Sequence, residues 1–186
     1  MSVATKKILV VGLGNPGKKY EFTRHNLGFR VLERLRGEIG MPALKLQKSV
    51  GSDVSETNFG STRVVLLKPR TYMNESGKAV NAALKAFGVQ VTNVWVIHVD
   101  KDLKLGDLRV KSGSVSAGHR GVESLIKELG SKNFRRYRMG VWAASGAGTD
   151  TDKYVLSKFL PEEEPTVRNF IDKTTTKLVE DLGVKR

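Results

Sequence analysis

The strongest constraint on this chain is a pair of short apolar runs, Ile8-Leu9-Val10-Val11 and the stretch over residues 94–99, nearly all apolar with His98 the exception. Both are rich in β-branched residues, too short for a buried helix, and apolar at consecutive positions rather than alternate ones. Such runs suit strands covered on both faces, as in the middle of an α/β sheet. Helical stretches come between and after them. Over residues 27–39, Leu27, Val31, Leu35 and Ile39 recur at helical spacing, with Arg30, Glu33, Arg34 and Glu38 opposite, and Asn26 is the expected N-cap. Residues 53–59 and 62–68 flank Gly60-Ser61 as a hairpin, ended by Pro69. A helix is predicted over 76–87 with Ser76 as its cap and Gly88 closing it, and a short strand over 108–111. A small-residue loop leads to His119, which opens another helix. A strand over 137–143, a mobile loop over 144–152 and a last helix after Pro161 complete the pattern. The expectation is a single α/β domain, residues 1–186, with a mixed twisted sheet flanked by helices.

Residues 12–26 follow the first strand and hold the most suggestive chemistry. Gly12-Leu13-Gly14-Asn15-Pro16-Gly17 matches the dinucleotide fingerprint, and its glycines are expected to turn the backbone tightly. That fingerprint needs a helix opening at the glycines to meet a pyrophosphate. Here the helical pattern starts only at Leu27, and no suitable acidic residue ends the next strand, so nucleotide binding is set aside. His25 lies in the loop beyond this strand, where sites form in open α/β sheets.

Charge narrows the partner. Thirty-two Lys and Arg against 19 Asp and Glu leave a formal +13, which favours a polyanion. No apolar run reaches the roughly 18 residues of a membrane span, so nucleic acid is preferred to a membrane. The absence of cysteine excludes disulfides and thiolate chemistry and suits a reducing compartment. The first strand begins within eight residues of Met1, so no signal peptide is expected. His98, Asp100 and Asp102 share a strand face in a metal-like spacing, but a polar strand end explains them as well. No G-x-S-x-G elbow supports a serine hydrolase. The remaining chemistry is a histidine acting on water beside neutral amide donors.

Several long motifs, in order and at matching spacings from about Lys7 to Leu160, resemble those of bacterial-type peptidyl-tRNA hydrolases. They are the 12–17 loop, Thr23-Arg24-His25-Asn26-Leu27-Gly28, Pro69-Arg70-Thr71-Tyr72-Met73-Asn74-Glu75-Ser76-Gly77, Gly118-His119-Arg120-Gly121 and Phe134-Arg135-Arg136-Tyr137-Arg138-Met139-Gly140. The resemblance implies a monomeric, cofactor-free and metal-free α/β enzyme that cleaves the ester between a peptide and the 3′ end of tRNA. It implies His25 as general base, with Asn15 and Asn74 holding substrate and water. Tyr20, Met73 and Arg120 would line the substrate cleft. Arg109, Lys111 and Arg138 would grip tRNA phosphate, and strand alternation would put Arg136 beside Arg138. A cytoplasmic location is expected, an organellar one being the alternative.

Three departures from the family pattern stand out. Counting without a gap from His98 to His119, Val99 takes the place of an aspartate that orients the histidine. Arg120 takes the place of an asparagine, and Trp142 and Ala143 replace a Gly-x-Pro-like turn. Valine cannot hydrogen-bond an imidazole, and an arginine beside His25 disfavours its protonated form. These changes predict weakened or redirected catalysis, and leave a non-catalytic RNA-binding module on the same fold as the alternative. Asp100 would point to the opposite sheet face from Val99 if the strand stays regular.

Overall fold

The computed structural model describes residues 6–184. Its frame is a seven-stranded sheet: β1 (Lys6–Gly12), β2 (Lys45–Gln47), β3 (Ser52–Phe59), β4 (Thr62–Pro69), β5 (Val94–Lys104), β6 (Leu108–Ser112) and β7 (Arg135–Trp142). The spatial order is β2-β3-β4-β1-β5-β7-β6. β1 runs parallel to β4 and β5, and β5 parallel to β7, while β2, β3 and β6 pair antiparallel with their neighbours. The sheet is therefore mixed, as expected.

Helices cover both faces. On one lie α1 (Leu27–Glu38) and α5 (Glu164–Leu182), packed on Ile8, Val10, Leu66, Ile97, Val99, Tyr137 and Met139. On the other lie α2 (Ser76–Phe87) and α3 (Arg120–Leu129), over Leu9, Val11, Val65, Leu67, Val94 and Val96. The alternation of consecutive β1 and β5 residues between the two clusters explains why those runs are apolar at consecutive positions, His98 excepted. A five-residue helix, α4 (Thr151–Val155), sits between β7 and α5, capped by Asp150, whose carboxylate accepts from the Lys153 N–H at 3.2 Å.

Several local expectations are corrected. The stretch expected as a mobile loop over 144–152 contains a 3-10 turn and the start of α4. β5 continues past residue 99 to Lys104. The three-residue β2 lacks enough alternation to be visible in the sequence. Neither Asn26 nor Ser76 caps its helix through its side chain. Gly12 and Gly14 do not have positive φ; only Gly17, at φ 104°, does. The first two are glycine for lack of room. A Cβ on Gly12 would lie 2.5 Å from the Gly28 carbonyl oxygen, and one on Gly14 would lie 2.7 Å from the Phe29 ring. They let α1 descend onto the end of β1, which places the turn before α1 beside the ends of β1 and β5.

Candidate active site

His25 occupies a 3-10 turn, Arg24–Asn26, and its flanking residues fix that turn from both sides. The Asn26 side chain acts as a peptide group would. Its Oδ1 accepts the Asn15 N–H at 2.8 Å and its Nδ2 donates to the Asn15 carbonyl at 2.9 Å. Asn15 in turn accepts the Met73 N–H on its own Oδ1 at 2.8 Å. The loop after β1, the histidine turn and the turn before α2 are thus stitched together by two buried amides. A buried hydrogen bond of this kind contributes about 1 kcal/mol, and leaving one partner unsatisfied costs more.

Arg24 secures the other side. It is buried to 1 % exposure, yet its Nη2 meets Glu163 at 2.6 Å and its guanidinium lies over Tyr154 and Phe159, 4.3 and 4.6 Å from the ring centroids. Its backbone N–H donates to the Ser157 carbonyl at 2.9 Å, and Thr23 bridges to Lys158. Glu163 also accepts from Ser145 Oγ and from the Leu160 N–H, both at 2.8 Å. Burial pushes the Glu163 carboxyl up, but these donors and the Arg24 charge outweigh it and hold its pKa below the usual range. Trp142, one of the departures, stacks edge-on against Tyr154 at 5.2 Å and so backs this anchor.

Three imidazoles gather at the site, although only 25, 98 and 119 are histidine in the whole chain. The His119 ring centroid lies 5.0 Å from that of His25 and 4.8 Å from that of His98. His119 caps α3: its Nδ1 accepts from the Gly121 and Val122 N–H groups at 3.1 and 3.2 Å, so its proton sits on Nε2. His98 Nδ1 faces the Val99 carbonyl at 2.8 Å, which fixes the opposite tautomer. Burial lowers all three pKa values, to about 4 for His25 and His98 and well below 6.5 for His119. The cluster is neutral at pH 7. Among the described residues no group of three or more His, Cys, Asp or Glu is disposed to hold a metal ion.

These rings border a cavity of about 180 Å³, lined also by Val99, Asp100, Lys101, Ser116–Arg120, Thr151, Asp152 and Val155. His25 Nδ1 is buried there with no protein partner. Asp100 does not supply one. Its Oδ2 accepts from Arg138 Nε at 2.7 Å and its Oδ1 from the Asp102 N–H at 2.9 Å. Because β5 stays regular through this point, Asp100 faces the α2–α3 side with His98, while Val99 packs in the α1–α5 core. Arg120 stands at the cavity mouth and pairs with Asp152 at 2.5 Å.

The remaining candidates are dispersed. Asn15 is buried, and it lines a larger groove of about 860 Å³ with Pro16, Phe22, Phe29, Arg30 and Ile171. Met73 is buried beside Asn15, Asn74 is exposed and Tyr20 half-buried; none of these three lines the His25 cavity. Arg109 faces outward on the edge strand β6, opposite Arg138 in register, and Lys111 lies opposite Arg136. Arg138 is half-buried and bound to Asp100. Arg136 is not at the surface: it is 1 % exposed and donates to the Val115 carbonyl at 2.9 Å, bracing the 113–118 loop. Sequence reasoning missed the bracing roles of Asn26, Arg24 and Glu163 and the approach of His98 and His119 to His25. The hint in the sequence is that His25 and His119 both lie within motifs and His98 at the polar end of a buried strand.

The family model for peptidyl-tRNA hydrolase matches residues 9–183. A peptidyl-tRNA hydrolase of Aquifex aeolicus is 42 % identical over 179 residues, covering 95 % of this chain and 90 % of the relative. One from a Mycobacterium species is 44 % identical over 160 residues, covering 86 % and 82 %. The crystal structure of the Acinetobacter baumannii peptidyl-tRNA hydrolase superposes with a TM-score of 0.85 at 32 % identity, covering 95 % and 89 %. The alternative of a non-catalytic RNA-binding module finds no support among these relatives. On the match across its length and the shared fold, the chain belongs to the peptidyl-tRNA hydrolase family.

Proposed function

We propose that the protein hydrolyses the ester between a peptide and the 3′ end of its tRNA, with His25 as the general base on water. Family membership supports the reaction class, and one observation carries the assignment of the base. His25 is neutral at pH 7, opens onto the cavity and is held by anchored residues on both sides. A neutral imidazole takes a proton from water as the water oxygen attacks the ester carbonyl carbon. The tetrahedral oxyanion then collapses, the C–O bond to the 3′ oxygen breaks, and the imidazolium returns its proton to that oxygen. The products are free peptide and tRNA. The amide groups of Asn15 and Asn74 offer donors that do not change charge with pH, suited to the substrate carbonyl. Tyr20, Met73 and Arg120 complete the contacts to the substrate.

Arg109 and Lys111 on the β6 edge, with Arg138 behind them, form the start of a phosphate-binding face. Contacts of this kind position tRNA without reading its sequence, as an enzyme acting on many tRNAs requires. One domain working as a monomer in the cytoplasm accounts for this activity, and no organic cofactor or metal enters the scheme. The test is release of tRNA from N-acetyl-aminoacyl-tRNA. His25→Ala is expected to lower the rate at least about 100-fold, in line with general-base contributions of about 10²–10⁴. Unchanged turnover in His25→Ala would remove His25 from the mechanism.

A further inference from the structure

We infer that Asp152, held at the cavity mouth by Arg120, is the carboxylate that balances the imidazolium form of His25, taking over electrostatically from the absent hydrogen-bonding carboxylate at position 99. This rests on His25 being the base of the proposed reaction. The general-base step makes a positive charge on His25 inside a largely desolvated cavity, and an uncompensated charge there raises the barrier.

The groups facing His25 leave few candidates for compensation. From β5 come His98, which is neutral, Val99, which is apolar, Asp100, whose two oxygens are occupied by Arg138 and the Asp102 N–H, and Lys101, which is a cation. From the start of α3 come His119, also neutral, and Arg120. From α4 comes Asp152. Asp152 is therefore the carboxylate on the cavity lining that is not already committed to a partner within the sheet. It pairs instead with Arg120, which stands where the family pattern has an asparagine.

The two substitutions on either side of His25 fit together on this view. Loss of the carboxylate at position 99 and gain of a cation at position 120 would both penalise the imidazolium. Pairing Arg120 with Asp152 neutralises most of the new cation and brings a carboxylate to the cavity rim in the same contact. The Coulomb effects on His25 have the expected signs, Asp152 raising its pKa and Arg120 lowering it, both smaller than the effect of burial. Asp152 does not touch His25 or the reacting atoms, so it is a positioning residue. Both members of the pair are exposed, so their field at His25 is screened by salt.

The decisive experiment is an NMR titration of the His25 imidazole in the free protein, run beside the pH–rate profile for N-acetyl-aminoacyl-tRNA. The proteins compared are wild type, Asp152→Asn and Arg120→Gln, each at low salt and at roughly 1 M KCl, where the Debye length falls to about 3 Å. Asp152→Asn is expected to lower the His25 pKa and to cut kcat about 3- to 10-fold at neutral pH with KM little changed, while Asp152→Glu restores the rate. Arg120→Gln is expected to raise the His25 pKa. High salt should shrink the difference between wild type and each variant. A His25 pKa that is the same in Asp152→Asn as in wild type at low salt overturns the inference. The titration reads His25 whether or not the protein turns over this substrate. Absence of hydrolysis in every protein would therefore count against the proposed function alone.

Discussion

At the scale of single residues the site is governed by desolvation. His25 and His98 have pKa values near 4 and His119 lies well below 6.5, in each case chiefly through burial. Activity and stability should respond to pH through these same groups. If His25 is the general base as proposed, its neutral form is the active one, so kcat/KM should be flat from about pH 6 to 8, and its acidic limb should fall below the ordinary histidine value of about 6.5 rather than on it. A limb centred at or above that value would contradict a desolvated base. For stability, a histidine whose pKa is lower in the folded state than in the unfolded one contributes above the unfolded value, about 6.5, and that contribution is lost as pH falls toward 4. For His98 alone the shift corresponds to about 3 kcal/mol, so urea midpoints should drop steeply between about pH 6.5 and 4. Replacing the core-facing Val99 by Asp should raise the His25 pKa and the rate per active molecule. It should also lower stability, since Val99 is 2 % exposed against α1 and α5. Sequence reading singled out His25 and Val99 as candidates because His25 lies in a long motif and Val99 is reached by a gap-free count from His98 to His119. It could not see that His98 and His119 gather beside His25, because centroid distances near 5 Å depend on how three separate elements meet.

At the scale of elements, the strands and helices were legible wherever apolar residues kept a clear period. α1, α2 and the β3–β4 hairpin fall within a residue or so of their expected limits. What failed was chemistry that is local in appearance and tertiary in cause. Gly12 and Gly14 look like turn formers, yet they are spacers between β1 and α1. Asn26 looks like a cap, yet it spends both ends of its amide on Asn15. The prediction at this scale concerns the anchor of the histidine turn. Glu163→Gln leaves the buried Arg24 charge unneutralised and should destabilise the fold by about 3–5 kcal/mol, read by thermal or urea unfolding. Asn26→Ala should cost about 1–3 kcal/mol, and its activity should fall by more than its stability loss explains, because the His25 turn is released from the Asn15 loop.

At the scale of the molecule, the +13 charge has a structured outlet in the exposed cations of the β6 edge. Charge reversal of Arg109 or Lys111 should weaken tRNA binding uniformly across tRNAs. It should also reduce the slope of log K against log salt by about 0.7 to 0.9 for each phosphate that is no longer neutralised. An unchanged slope in the double variant would place the tRNA elsewhere. Among the described residues no helix is long and apolar enough to cross a membrane. The arrangement of the anchor has a temporal side as well. Arg24 and Glu163 are separated by 139 positions, and Ser157, Tyr154 and Phe159 join the same knot. A growing chain thus carries His25 and its Asn15–Asn26 anchor early and the Glu163 anchor late. Translation arrested before the codon for Glu163 should yield nascent chains that do not release tRNA from an added substrate, whereas completed chains do. The distinction matters because every copy of this protein is, while being made, esterified to a tRNA at its own end. If His25 is the base, one of the two anchors of its turn, the Glu163 side, is among the last segments synthesised. The complete site then forms only near the end of the period in which the protein's own bond to tRNA is exposed to such an activity.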